Sequence, residues 1–134
     1  MKKLLIIDGN SILNRAYYGI RPLTAPDGTP TNAVYGFLNI LLKHLDEENY
    51  DYLCVAFDVK EKTFRHKRYE LYKAQRKPAP EDFLVQLPLM KEVLAAMNCM
   101  CMELPGYEAD DIIGTVSKIC DQSGVECNIL TGDK

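Results

Sequence analysis

The sequence predicts an α/β fold, a sandwich of helices packed around a mostly parallel sheet, and three observations carry that prediction. Short apolar segments alternate along the chain with segments of helical period. The first apolar run, Leu4-Leu5-Ile6-Ile7, is continuous rather than alternating, as in a strand buried on both faces of a parallel sheet. The chain has 134 residues, 47% of them hydrophobic and 26% charged, which is enough for one core and ordinary for a globular protein.

The elements follow in order. The first strand ends in Asp8-Gly9-Asn10-Ser11, and Ser11 to Tyr18 reads as a short helix or turn carrying Arg15, Tyr17 and Tyr18. Pro22 through Pro30 is a loop with Asp27-Gly28 as its turn. Thr31 or Asn32 is placed to cap the next helix, whose apolar positions Val34, Phe37, Leu38, Leu41, Leu42 and Leu45 fit one face. Asp46-Glu47-Glu48-Asn49 closes it. Tyr52 to Phe57 is a second strand, again ending in an aspartate, Asp58.

A basic stretch runs to Lys77 and is stopped by Pro78-Ala79-Pro80. Glu81-Asp82 then opens a helix with Leu84, Leu87, Met90, Leu94 and Met97 on its apolar face. Pro88 lies inside that pattern and must kink or restart the helix, because it lacks an N–H and clashes with the preceding turn. Cys99 to Leu104 is a third strand. The Pro105-Gly106 break precedes a helix from about Glu108 to Gly124, with Ile112, Ile113, Val116, Ile119 and Cys120 at helical spacing. Val125 to Leu130 is a fourth strand, leading to Thr131-Gly132-Asp133-Lys134.

Charge is unevenly distributed. The net charge is −3, yet residues 60–77 hold 8 of the 16 basic residues against Glu61 and Glu70, so that window is +6 and the remainder −9. One surface for a polyanion and another for cations is the natural reading. No apolar run approaches the ~20 residues of a membrane span, and Asp8 ends the first run too early for a signal peptide. The five cysteines form no CxxC pair and have only His44 and His66 to help with zinc, which points to buried free thiols in a reducing cytoplasm.

Three strands finish in an aspartate, Asp8, Asp58 and Asp133, and Glu108, Asp110 and Asp111 open a helix directly after a strand. In parallel α/β sheets the ligand site lies beyond the carboxyl ends of the strands, so these six carboxylates are expected on one edge. A single acid at a helix start is ordinary capping. Three in four residues repel one another unless a cation sits among them. Carboxylates without Cys or His suit Mg²⁺ or Mn²⁺, and six exceed the needs of one ion. Two ions ~4 Å apart can activate a water and steady the leaving oxygen of a phosphodiester. The lysines and arginines of residues 60–77, interleaved with Phe64, Tyr69 and Tyr72, supply phosphate contacts and stacking faces for a nucleic acid.

With those residues in view the chain resembles the amino-terminal part of the 5′-nuclease domains of bacterial DNA polymerase I, in the flap-endonuclease superfamily. The motifs that carry the resemblance are Leu5-Ile6-Ile7-Asp8-Gly9-Asn10-Ser11, Pro30-Thr31-Asn32-Ala33-Val34-Tyr35-Gly36-Phe37, Ala56-Phe57-Asp58, Tyr72-Lys73-Ala74-Gln75-Arg76, Pro105 to Asp111 and Leu130 to Lys134. Each is weak alone, and their order and spacing together are specific. The resemblance implies a PIN-like, resolvase-like three-layer sandwich with a basic helical arch, and a metal-dependent 5′-3′ exonuclease or flap endonuclease that acts in replication and repair.

It implies metal ligation by Asp8, Asp58, Glu108, Asp110, Asp111 and Asp133, holding two Mg²⁺ or Mn²⁺ ions. Lys73 and Arg76 match catalytic positions near the scissile phosphate. Arg15, Tyr17, Arg65, Lys67, Arg68, Tyr72 and Lys77 join them as substrate contacts, the stretch from Phe64 to Lys77 matching the arch. Implied partners are DNA with 5′ flaps or nicked and branched ends, and RNA primer–DNA hybrids, bound by a cytoplasmic monomer with no membrane association. The helix–hairpin–helix element of the family and a further aspartate would lie beyond Lys134, so residues 1–134 are expected to be a domain cut short, with impaired catalysis.

Two other functions compete with this one. A PIN-type ribonuclease would share the sheet and the acids but not a long basic arch. A non-catalytic nucleic-acid-binding module would leave the acids as surface decoration. A DxD-type phosphatase is disfavoured because Gly9-Asn10 follows Asp8.

Overall fold

The structure, a computed structural model, describes residues 1–58 and 80–131. Its centre is strand β1 (Lys3–Asp8), flanked on one side by β2 (Tyr52–Ala56) and on the other by β4 (Glu126–Leu130). β3 (Met100–Met102) adds to the far side of β2, giving the order β3-β2-β1-β4 with every pairing parallel. A central parallel strand must be apolar on both faces, and β1 is: Leu5 and Ile7 enter one core, while Ile6 enters the other with Leu4 beside it.

The helices cover the two faces unequally. Helices α1 (Gly9–Gly19), α2 (Asn32–Glu47), the single turn α3 (Glu81–Leu84) and α4 (Gln86–Ala96) contribute Ile12, Leu13, Phe37, Leu41, Phe83, Met90 and Leu94 to the larger core. Helix α5 (Ala109–Ser123) lays Ile112 and Ile113 against Ile6, Cys54 and Ala56 on the opposite face. This is the expected three-layer sandwich. Burying each large side chain such as Phe37 or Leu41 contributes about 1.5–3 kcal/mol. The chain steps outward from β1 to β2 to β3 and then returns to the other side of β1, so right-handed crossovers place α5 on the second face. That reversal puts the topological switch point between β1 and β4.

Local differences from expectation have local causes. Thr31 stands at the N-cap of α2, but neither its side chain nor that of Asn32 caps the helix. The donors are taken from afar: Gln86 Oε1 accepts from the Ala33 and Val34 N–H groups at 2.8 and 3.1 Å. Pro88 does restart a helix. The break falls at Val85, and Pro88 sits in the first turn of α4, where its missing N–H would have had no intrahelical partner. The break also changes the helical phase. Phe83 is buried in place of Leu84, which is 42% exposed. Leu42 and Ile119, expected on buried faces, are exposed at 53% and 54%. Gly36 allows α1 and α2 to cross closely, since a Cβ there would lie 2.7 Å from Ala16 Cβ. Gly124, with φ at 72°, ends α5 in the left-handed conformation. Among the described residues no helix is long and apolar enough to cross a membrane. The stretch expected to form the basic arch, and Asp133, fall outside the described residues.

All five cysteines are free thiols, with Cys54, Cys99 and Cys120 buried. Burial pushes Cys54 up to about 11 and Cys99 up to about 12, from an ordinary value of 9.0. Below pH 9 these thiols are neutral in both the folded and the unfolded chain. Above it the unfolded chain ionises first, so stability falls as pH rises from 9 towards 11 and 12. The urea midpoint is expected to drop steadily across that window, and Cys54→Ala to make the drop shallower. A midpoint that stays level from pH 9 to 11 would contradict the burial of these thiols. Tyr17 and Tyr50, also raised, act in the same sense.

Candidate metal centre

Parallel pairing puts the carboxyl ends of the strands on one edge, and the acids are found there by backbone register. Asp8 is the last residue of β1 and pairs with Ala56, the last of β2. Asp58 follows two residues beyond Ala56, at the same edge. Asp8 is only 5% exposed and serves as N-cap of α1, its Oδ1 accepting from the Ser11 N–H at 3.2 Å.

Asp58 is held from both sides. Its own N–H donates to Asn10 Oδ1 at 2.8 Å, and its Oδ1 accepts from the Ala109 N–H at 2.6 Å. The second contact joins the Asp58 carboxylate to the first turn of α5, where the partial positive charge of a helix start favours it. Glu108 and Asp111 form a capping box on that helix: the Glu108 N–H donates to Asp111 Oδ2 at 3.0 Å, and the Asp111 N–H returns to the Glu108 side chain. Asp110 is exposed. At the end of β4, Thr131 Oγ1 donates to Ser11 Oγ at 3.3 Å, tying the fourth strand to the start of α1.

Gly9 makes the edge compact. A Cβ at this position would lie 2.6 Å from Phe57 Cε1 and 2.8 Å from Val55 Cγ1, so only glycine lets α1 start directly over the end of β2. Phe57 is fully buried, and its N–H donates to Met102 O at 3.0 Å. Lys91 Nζ lies 5.2 Å from its ring centre and pairs with Glu103. Asp58 thus follows a residue fixed on three sides.

Of the six expected ligands, five are described. Asp8 and Asp58 stand at the ends of adjacent strands by register, and Asp58 bonds Ala109, the first residue of the helix that carries Asp110 and Asp111. Among the described residues, no group of three or more acidic, histidine or cysteine side chains is placed to hold a metal ion. Asp133 lies outside the described residues, as do Arg65, Lys67, Arg68, Tyr72, Lys73, Arg76 and Lys77. The donors at this edge are all oxygens, the set that suits a hard cation rather than zinc.

Arg15 is exposed on α1. Tyr17 is engaged within the chain at its surface: its hydroxyl donates to Asp82 Oδ1 at 2.7 Å, and its ring packs edge-on against Tyr18 and Phe83. The bond to the Asp82 carboxylate, with some loss of solvent, pushes the Tyr17 hydroxyl up to about 12. The sequence alone assigns no role to Asn10, Ser11 or Gln86, and to Asn32 only that of a helix cap. A polar Gln between Leu84 and Leu87 in an otherwise apolar face was the one available signal for Gln86.

The comparisons with known proteins agree with this architecture. A family model described as the 5′-3′ exonuclease, N-terminal resolvase-like domain, matches residues 3–134. A DNA polymerase I of Caldicellulosiruptor bescii is 47% identical over 132 residues, covering 98% of this chain and 16% of the polymerase. A 5′-3′ exonuclease of Aquifex aeolicus is 43% identical over 134 residues, covering 100% of this chain and 46% of that protein. The structure of a bacteriophage T5 flap endonuclease, in a pseudo-enzyme–product complex with DNA and metal ions, superposes with a TM-score of 0.68 at 17% identity, over 98% of this chain and 49% of the other. The chain therefore spans less than half the length of either relative.

Proposed function

Because the chain belongs to the family of 5′-3′ exonuclease N-terminal, resolvase-like domains, we propose that it forms the metal-bearing part of a structure-selective 5′ nuclease that hydrolyses DNA phosphodiesters. The observation that carries this reading is the gathering of Asp8, Asp58 and the first turn of α5 on one sheet edge, beside the switch point between β1 and β4. The family, and a structural neighbour determined with DNA and metal ions, support it.

In this reading Asp8, Asp58, Glu108, Asp110, Asp111 and Asp133 hold two Mg²⁺ or Mn²⁺ ions. The ions, when bound, supply Lewis-acid polarisation of the phosphate and activation of the attacking water. The chain's own residues do the rest. The Ala109 N–H restrains the Asp58 carboxylate through Oδ1 and leaves its second oxygen for an ion. Lys73 and Arg76 neutralise phosphate charge near the cleaved bond. Arg65, Lys67, Arg68, Tyr72 and Lys77 hold the strand, and Arg15 approaches its unpaired end. Tyr17, whose hydroxyl is taken by Asp82, contributes a ring surface rather than a hydrogen bond. The substrates proposed are DNA with 5′ flaps or nicked and branched ends, and RNA primer–DNA hybrids, processed by a cytoplasmic monomer. Residues beyond this domain are proposed to supply duplex grip, so residues 1–134 alone cleave poorly.

The test is metal-dependent stability. Ions bound only by the folded state stabilise it by about 2.7 kcal/mol at a hundredfold excess over the dissociation constant. For a domain of this size that raises the thermal midpoint by about 10 °C. Mn²⁺ is expected to produce such a rise in this chain. A midpoint indifferent to millimolar Mn²⁺ would remove the metal site from the reading.

A further inference from the structure

Beyond β2 the chain runs on past the end of its ladder with β1. The last rung of the β1–β2 ladder is Asp8 with Ala56, because β1 turns into helix α1 at Gly9. On its other side β2 still has a neighbour for one more residue, the Phe57 N–H donating to Met102 O. Beyond this, the peptide N–H of Asp58 faces a place where backbone has already departed into a helix. The Asn10 side chain fills it: Oδ1 accepts the Asp58 N–H at 2.8 Å, across 48 residues of sequence.

We propose that Asn10 is a positioning residue for the metal site, acting as an added rung of the sheet that fixes the peptide of Asp58 and so the direction of its carboxylate. Two independent contacts define that carboxylate, Asn10 at the peptide and the Ala109 N–H at Oδ1. With only the second, rotation about the Phe57–Asp58 segment would carry the other oxygen off the edge. The neighbouring residue works in the same turn: Ser11 gives its N–H to Asp8 and its hydroxyl receives Thr131. One helical turn thereby gauges the spacing of three strand ends.

This inference rests on the metal reading above, and its test separates the two. Free Mn²⁺ is followed by electron paramagnetic resonance in titrations of the wild-type chain, Asn10→Ala, Asn10→Asp and Asn32→Ala. Partners that orient a ligand are worth about 10- to 100-fold in metal affinity, so Asn10→Ala is expected to weaken Mn²⁺ binding about tenfold. Asn10→Asp keeps an acceptor oxygen at the same reach and is expected to bind at least as tightly as wild type. Asn32→Ala breaks the buried links from Asn32 to Tyr17 O and Ile20 O, far from Asp58 in the bonding network. It is expected to lower thermal stability and leave Mn²⁺ affinity unchanged.

No binding by the wild-type chain would overturn the metal reading and this inference with it. Binding by wild type together with equal affinity in Asn10→Ala, or an equal loss in Asn32→Ala, would overturn the role of Asn10 and leave the metal reading intact. Should Asn10→Ala fail to fold, Asn10→Gln, with its acceptor displaced by one methylene, takes its place with the same weakening expected and the same overturning result.

Discussion

In a full-length 5′ nuclease carrying this domain, Asp110→Ala is expected to lower the rate of 5′-flap cleavage about a thousandfold while leaving flap binding and the fold in place. The side chain is exposed in the first turn of α5, and no hydrogen bond described above depends on it. Removing it forfeits only a favourable charge at a helix start, about 0.3–1 kcal/mol. If Asp110 holds an ion over the reacting phosphate, its removal costs transition-state stabilisation of about 4 kcal/mol, each 1.36 kcal/mol being tenfold in rate. The imbalance between the two costs makes Asp110 a cleaner probe than Asp58, whose loss would also strand the Ala109 N–H. Single-turnover cleavage of a labelled flap, with binding measured separately by fluorescence anisotropy, decides the matter. Turnover within a fewfold of wild type would refute the metal role of Asp110.

Gln86→Leu is expected to be the most destabilising single change outside the hydrophobic core. Gln86 is fully buried and makes four hydrogen bonds. It accepts from the Ala33 and Val34 N–H groups and donates to Asn32 Oδ1 and Asp82 O. Leucine nearly matches its volume but leaves two helix N-terminal donors and the Asn32 oxygen buried without it. Each stranded group costs about 1–3 kcal/mol, so a total loss of about 3–5 kcal/mol is expected. At about 4 °C per kcal/mol for a chain of this length, the thermal midpoint falls by about 12–20 °C. A scan of the purified variant reads this directly. A drop below about 4 °C would mean that water or the Thr31 hydroxyl can cap α2 instead.

The sequence made the layered fold legible where burial is symmetrical. β1 was readable because a strand covered on both faces has no polar positions, and α5 because Pro105-Gly106 and Gly124 bracket it. Helical period locates the middle of a buried stripe but not its margins, so Leu42 and Ile119 were assigned to faces they only border. Leu84 was misplaced for another reason: the restart at Val85 rotates everything before it relative to everything after. The cap on α2 was illegible because its acceptor comes from Gln86, and no local pattern connects positions 53 residues apart.

At the site, the strand-end position of Asp8 and Asp58 and the helix-start position of Glu108, Asp110 and Asp111 were readable from spacing alone. The specific bond from Ala109 to Asp58 was not, since it depends on how the start of α5 is set against the end of β2. Asn10 stands in a motif without a task, because its task exists only once the residues after β2 are seen to run past the end of β1.

The cap that Gln86 provides has a bearing on how the protein is made. A nascent chain that has left the ribosome only as far as Pro80 holds a second helix with two open donors, and a first strand still lacking its β4 neighbour. Neither can be completed by the residues synthesised so far. Folding of this domain therefore waits until residues 86–130 have emerged, and a pause before residue 86 would leave the emerging segment exposed to chaperones and proteases.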